Sequence, residues 1–167
     1  MTTAIYMPFN SRIVRADPAD AADIAEMVGE LLGEIMTTIG EAVFRFDRDR
    51  TETCAREWLT NRSYGIFLAR NPETGQTMGF LTVYESYGLY AGGRFGTIPE
   101  FYVRTGYRSQ GVGASLLGEV RRYGAARGWT RLEVTTPPLP QFERTIKFYT
   151  GQGFQISGGR KLKVDLP

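Results

Sequence analysis

Ile98-Pro99-Glu100-Phe101-Tyr102-Val103-Arg104-Thr105-Gly106-Tyr107-Arg108-Ser109-Gln110-Gly111-Val112-Gly113-Ala114 decides how the chain is read. Its first part, Ile98 to Arg104, is an apolar run that reads as a strand. Its end opens a helical pattern from Val112 to about Arg127. A strand, a short glycine loop and a helix together make an anion site. The first N–H groups of a helix have no partner inside it, and the helix dipole adds partial positive charge there. Gly111 and Gly113 lack Cβ atoms, so a phosphate can approach the backbone closely. Arg108 sits at the mouth of the loop with a side chain suited to phosphate. Taken alone, the heptad Arg108–Ala114 also fits a tight turn before an ordinary helix. Two nucleotide motifs fail on detail: no Gly-Lys-Ser/Thr ends the loop, and a dinucleotide fingerprint would need glycine at Leu116.

Working outward, Ser11 to Ala16 reads as a strand. Asp17 is then an N-cap with Pro18 at the first helical position. Ile24, Met27, Val28, Leu31, Leu32, Ile35, Met36 and Ile39 recur at spacings of three and four, which is one apolar helix face ending at Gly40. Thr51 to Leu59 reads as a second helix. Ser63 to Arg70 and Gln76 to Tyr87 are strands around the Asn71–Gly75 turn, and Gly88 to Gly96 is a glycine-rich connection. After the central helix come a strand over Thr130 to Thr135 and a helix from about Gln141 to Thr150. Two final strands, Phe154 to Ser157 and Arg160 to Leu166, would meet in a hairpin at Gly158-Gly159. The fold class is therefore α/β, a mixed sheet of about seven strands flanked by about four helices, in the order β-α-α-β-β-β-α-β-α-β-β. No repeat or linker divides the 167 residues, so one domain over 1–167 is expected.

Composition narrows the chemistry. A net charge of +2 is too balanced to argue for nucleic acid or an anionic membrane surface. No long uncharged apolar run suggests a membrane span, and Met1–Tyr6 lacks the pattern of a secretory signal. The single cysteine, Cys54, cannot form an internal disulfide, which favours the cytoplasm. The chain has no histidine, so a histidine-dependent triad and histidine-ligated zinc are both excluded, and no metal is expected. Acid–base work must fall to carboxylates, tyrosine, lysine or water.

This element order, with the glycine loop after the fourth strand, resembles the GNAT superfamily of acyl-CoA-dependent N-acetyltransferases. Arg108, Gly111 and Gly113 meet its Gln/Arg-x-x-Gly-x-Gly/Ala pattern, and Val103 and Tyr107 match the residues before it. Phe148-Tyr149-Thr150-Gly151-Gln152-Gly153-Phe154 resembles the Phe-Tyr-x-x-x-Gly-Phe that closes the family's late helix. The likeness runs from about Arg12 to Leu166. Two positions depart from it. Thr105 stands where many members have proline, and Phe142 where many have an asparagine that contacts the cofactor arm.

The resemblance implies acetyl transfer from acetyl-CoA to the primary amine of a small molecule or peptide. The N–H groups from Gln110 to Ala114 would bind the pyrophosphate, with help from Arg108, Ser109 and Ser115. The backbone of Phe101 and Val103 would pair with the pantetheine amides as an added strand does, and the Val103 N–H would hold the thioester carbonyl. Tyr149 is the implied acid to the leaving thiolate. The alternative is an aromatic packed at a helix end with its hydroxyl bonded to backbone. Glu100 is the candidate base, against the alternative of an exposed carboxylate at a strand start, with Glu85 and Tyr87 as rivals. Phe44, Phe46 and Asp47 lie where the family lines its acceptor pocket, and they equally fit a solvated loop with one or two packed rings. The short Gly158-Gly159 turn implies an open site or one completed by a second copy as a homodimer. A non-catalytic acyl-CoA-binding sensor of the same fold is the competing function.

Overall fold

A computed structural model describes residues 10–167; the stretch Met1–Tyr6 lies outside them. The described chain forms two compact units, one up to Thr135 and one from Thr136 to Pro167.

The first unit is built on an open sheet. Its strands are β1 (Arg12–Arg15), β2 (Gly65–Arg70), β3 (Thr77–Gly88), β4 (Gly93–Ile98), β5 (Phe101–Val103) and β6 (Leu132–Val134). The order is β1-β2-β3-β4-β6, with β5 also on β3. Every pairing is antiparallel except β4 with β6. The helices are α1 (Ala21–Ile39), α2 (Arg48–Thr60) and α3 (Val112–Ala126). Strand alternation separates the two faces. Ile66, Leu68, Phe80 and Tyr102 pack with Ile24, Met27, Ala55 and Leu59 of α1 and α2. Phe67 points the other way, and its ring meets Tyr123 of α3 edge-on at 5.3 Å.

Asp17 caps as expected. Its carboxylate accepts the Ala19 N–H at 2.8 Å, and the Asp20 carboxylate accepts the Asp17 N–H at 3.0 Å. The turn Pro18–Asp20 is 3-10 before α1 begins. The apolar face of α1 divides. Ala21, Ile24, Ala25 and Met27 are buried, whereas Leu32, Ile35 and Met36 are half-buried.

The strand expected over Ile98 to Arg104 is β5, and β4 lies in the stretch expected as a glycine-rich connection; a bulge joins the two strands. Tyr84 pairs with Thr97, and two residues earlier on β3 the Thr82 N–H bonds the Glu100 carbonyl at 2.9 Å. Ile98 and Pro99 therefore stand opposite the single residue Val83. Pro99 has no N–H to offer a ladder. On the far side of β4, β6 ends at Val134, opposite Ile98. Beyond the bulge β5 stays on β3 and no strand among the described residues flanks its other edge.

The second unit holds α4 (Glu143–Gly151). The two expected final strands do not form: residues 154–167 pair with nothing as strand. A tight two-residue turn needs positive φ at both centres, yet only Gly159 has it, at 106°. Leu162, Val164 and Leu166 alternate as a strand would, but they are 91%, 81% and 85% exposed. A hairpin without a packed face or a third strand is marginal in water. The fold is mixed α/β, and the described residues form six strands and four α-helices where about seven strands were expected.

Candidate active site

The glycine loop is built as a cradle. Gly111 is the N-cap of α3 with φ of 86°, a left-handed conformation that a residue with Cβ adopts only under strain. No side chain caps the helix, and the first intrahelical bond runs from the Ser115 N–H to the Gly111 carbonyl at 3.0 Å. The N–H groups of Val112, Gly113 and Ala114 thus precede the helical ladder and point out of its start. Val112 has its side chain wholly buried, so it offers only backbone. The Gln110 side chain folds back to the Gly106 carbonyl at 3.0 Å and braces the loop. Uncapped N–H groups, a helix dipole and a bare Gly111 fit a diphosphate.

The Arg108 guanidinium is engaged by groups of the chain itself. It makes a bidentate pair with Glu34 of α1, at 2.9 and 2.7 Å, and its Nε–H donates to the Val103 carbonyl at 2.7 Å. It also lies over the Tyr102 ring, 5.5 Å from the centroid. Its side chain is a tie between α1 and β5.

The bulge aims the strand. The bonds of Glu100 and Arg104 to Thr82 and Met78 set the alternation on β5, so Tyr102 bonds toward β3 while Phe101 and Val103 direct their backbone groups to the other edge. That edge is where the sheet opens. An extended ligand bearing amides fits a strand edge of this kind.

Glu100 sits at the bulge on the α1–α2 side of the sheet, half-buried. Its Oε2 accepts the Tyr64 hydroxyl at 2.8 Å and the Thr82 hydroxyl. Its N–H donates to Thr82 Oγ1 at 3.0 Å. Burial first, then the charge of Glu100, pushes the Tyr64 phenol far above its ordinary value, so it stays a donor. The carboxylate is therefore fixed in direction and kept as an acceptor. Tyr64 and Thr82 escaped the sequence reading; their signal was polar residues at positions in register with buried Ile66 and Phe80.

The rivals are accounted for structurally. Glu85 accepts the Tyr87 hydroxyl at 2.6 Å and the Trp129 indole N–H at 2.7 Å, and these bonds lower its pKa, first that of Tyr87. A carboxylate held in its charged form is a poor base. The Asp47 carboxylate accepts the Arg50 N–H at 2.9 Å and caps α2, which begins three residues before the expected start. Phe46 packs on α1 at Gly29, where an added Cβ would lie 2.6 Å from the ring, and is 38% exposed. Phe44 is 42% exposed in the same connection.

In the second unit, the Phe148–Phe154 motif is a helix terminator. The Phe154 N–H bonds the Tyr149 carbonyl and the Gly153 N–H the Thr150 carbonyl, both at 3.0 Å, with Gly153 at φ of 85°. The Tyr149 and Phe154 rings meet at 5.3 Å. Tyr149 is 7% exposed, and burial raises its phenol pKa well beyond the ordinary value.

A family model described as the acetyltransferase (GNAT) family matches residues 28–154. The chain belongs to this family. Solved structures share the fold. A probable acetyltransferase superposes with a TM-score of 0.74 at 20% identity, covering 93% of this chain and 98% of that one. A ribosomal-protein-alanine N-acetyltransferase from Brucella melitensis biovar Abortus 2308 gives 0.66 at 18% identity, over 94% and 100%. An aminoglycoside acetyltransferase from an uncultured soil metagenomic sample gives 0.71 at 16%, over 94% and 97%. At these identities the likeness is one of fold. Among curated proteins, no sequence is significantly similar to the chain. GNAT membership supports acetyl transfer as the general activity. Among the described residues, no helix is long and apolar enough to cross a membrane, and no group of three or more His, Cys, Asp or Glu could hold a metal ion.

Proposed function

We propose that this GNAT protein transfers an acetyl group from acetyl-CoA to a primary amine by direct attack on the thioester. The observation that carries the reading is the Ile98–Pro99 bulge. It leaves one edge of β5 open and sets Glu100, just before β5, on the α1–α2 side of the sheet.

Acetyl-CoA supplies an activated acyl thioester. The N–H groups of Val112, Gly113 and Ala114 would hold its diphosphate, and the β5 edge at Phe101 and Val103 its amide arm. The Val103 N–H is the donor for the carbonyl oxygen as negative charge gathers there. Glu100 receives the ammonium proton, directly or through water, leaving the lone pair that attacks. Tyr149, assigned from the motif it shares with the family, holds a proton for the departing thiolate. A phenol protonated across neutral pH can give that proton to a thiolate and recover it from solvent. The domain is taken as one functional chain, 1–167, acting on a small-molecule or peptide amine in the cytoplasm.

The test is thiol release from acetyl-CoA across a panel of amines, with thermal protection by CoA and by ATP measured alongside. Release with at least one amine class, CoA protection without ATP protection, and loss of turnover in Glu100→Gln and Tyr149→Phe are expected. CoA binding without release on any amine would replace the enzyme by a sensor module.

A further inference from the structure

We propose that the acceptor is a primary alkylammonium on an apolar or aromatic stem, held between an aromatic wall of Trp58, Tyr64 and Tyr84 and the carboxylate of Glu100. This rests on the acetyl-transfer reading and names the substrate class for that site.

Four separate segments bring these groups together. Trp58 comes from the last turn of α2, Tyr64 from the residue before β2, Tyr84 from β3 and Glu100 from the bulge. Tyr64 stands in the middle. Its ring lies 5.2 Å from Trp58 and 6.0 Å from Tyr84, nearly parallel to the latter at 14°. Its hydroxyl reaches Glu100 at 2.8 Å. The wall is contiguous with the carboxylate through that one residue.

Two features mark the cluster as a ligand surface. The outer rings are open: Trp58 is 40% exposed and Tyr84 is 38% exposed. The charge is unanswered. Arginines elsewhere in the chain lie over Tyr102, Tyr123 and Tyr90, each of which is thereby satisfied as a cation site. Among the described residues, none lies over Trp58, Tyr64 or Tyr84, and none forms an ion pair with Glu100. Both hydroxyls bonded to Glu100 land on Oε2, and among the described residues no hydrogen bond reaches Oε1. A half-buried carboxylate with one bare oxygen, beside open π faces, is complementary to an ammonium with an apolar stem. The ammonium meets Oε1, and the stem lies on the rings. A polyhydroxylated amine would leave its hydroxyls against ring carbon without partners.

The experiment has two arms. In the first, the unreactive cation phenethyltrimethylammonium and its neutral carbon isostere are titrated into the whole protein by calorimetry. The cation is expected to bind at least about tenfold tighter, in line with the ~1–2 kcal/mol of a partly desolvated cation–π contact. That margin should vanish in Trp58→Ala and Tyr84→Ala and return in Trp58→Phe. In the second, CoA release is compared for phenethylamine and glucosamine. Phenethylamine is expected to have the higher kcat/KM, with the wall variants losing the difference through amine KM. Equal binding of cation and isostere, or preference for glucosamine, overturns the proposal while acetyl transfer stands. If no amine releases thiol but the cation still binds at the wall, the acetyl-transfer reading fails instead.

Discussion

Glu100, the proposed base, is held by its neighbours without being neutralised by them. Oε2 is locked by the hydroxyls of Tyr64 and Thr82, which removes rotational freedom without supplying a counter-charge. Replacing it by glutamine keeps the shape and removes the proton acceptor. Glu100→Gln is expected to lower kcat by roughly 10²–10⁴-fold, the usual weight of a positioned base, with the KM for acetyl-CoA unchanged. Steady-state kinetics at saturating amine check this; a loss under threefold would remove Glu100 from the chemistry. Asp47 makes the opposite case. It is acidic, exposed and near the expected pocket, yet its carboxylate closes the first turn of α2. Asp47→Ala should cost about 1 kcal/mol of stability, the worth of a lost N-cap, read as a Tm lower by roughly 2–4 °C. Amine KM should not move; a raised amine KM with unchanged Tm would restore Asp47 to the acceptor site.

At the scale of elements, the tie between α1 and β5 governs how the cradle is held. Glu30 grips Arg104 and Glu34 grips Arg108, each pair 74 residues apart in sequence. The spacing of four on the helix is matched by four along the turn after β5. Arg104 also donates to the Thr77 carbonyl at 2.8 Å, and Arg108 to that of Val103. The arginines thus fasten α1 to the edge that opens. A double-mutant cycle of Glu34→Ala and Arg108→Ala is expected to give a coupling of about 1 kcal/mol, near the upper range for a pair one-third exposed and screened. Arg108→Ala alone should also raise the KM for acetyl-CoA severalfold by releasing the Val103 peptide; unchanged KM with the coupling intact would make the tie purely structural. Helix periodicity makes α1 and α3 legible in the sequence because one apolar stripe is a local property. The acidic ridge Asp23, Glu26, Glu30 and Glu34 is just as regular, but its meaning depends on arginines that only folding brings near. The same limit hid β4. Its glycines read as a connection, yet Gly96 is needed because an added Cβ would lie 2.4 Å from the Trp129 ring. The glycine cradle was legible because a strand, a loop and a helix are consecutive. The bulge left a trace in Pro99, and Tyr64 with Thr82 left almost none. The final hairpin was misread because alternation alone does not supply a face to pack on.

Over the whole molecule, buried phenols couple stability to alkaline pH. Burial raises the pKa of Tyr64 and Tyr149 far above the ordinary value, and that of Tyr102 moves the same way. An unfolded tyrosine ionises near pH ~10. Below that pH both states hold the proton, so the phenols make no pH-dependent demand and the stability from their burial is fully present. Above it the unfolded chain releases protons that the folded chain still binds, so stability falls as pH rises toward the folded values. Thermal unfolding from pH 7 to 11 is therefore expected to show a plateau to about pH 9 and a falling limb beyond ~10. Tyr149→Phe should make that limb shallower, because the substituted ring keeps its apolar contacts and has no proton to lose. Absorbance near the tyrosinate band offers the second reading. The chain has nine tyrosines, and only part of them should ionise with an ordinary midpoint while the fold persists. The remainder should appear together with loss of circular dichroism. If all nine titrate in one ordinary wave with the dichroism intact, the hydroxyls of Tyr64 and Tyr149 reach solvent. Tyr64 would then no longer be a reliable donor to Glu100, and the direction in which that carboxylate is held would have to come from Thr82 alone.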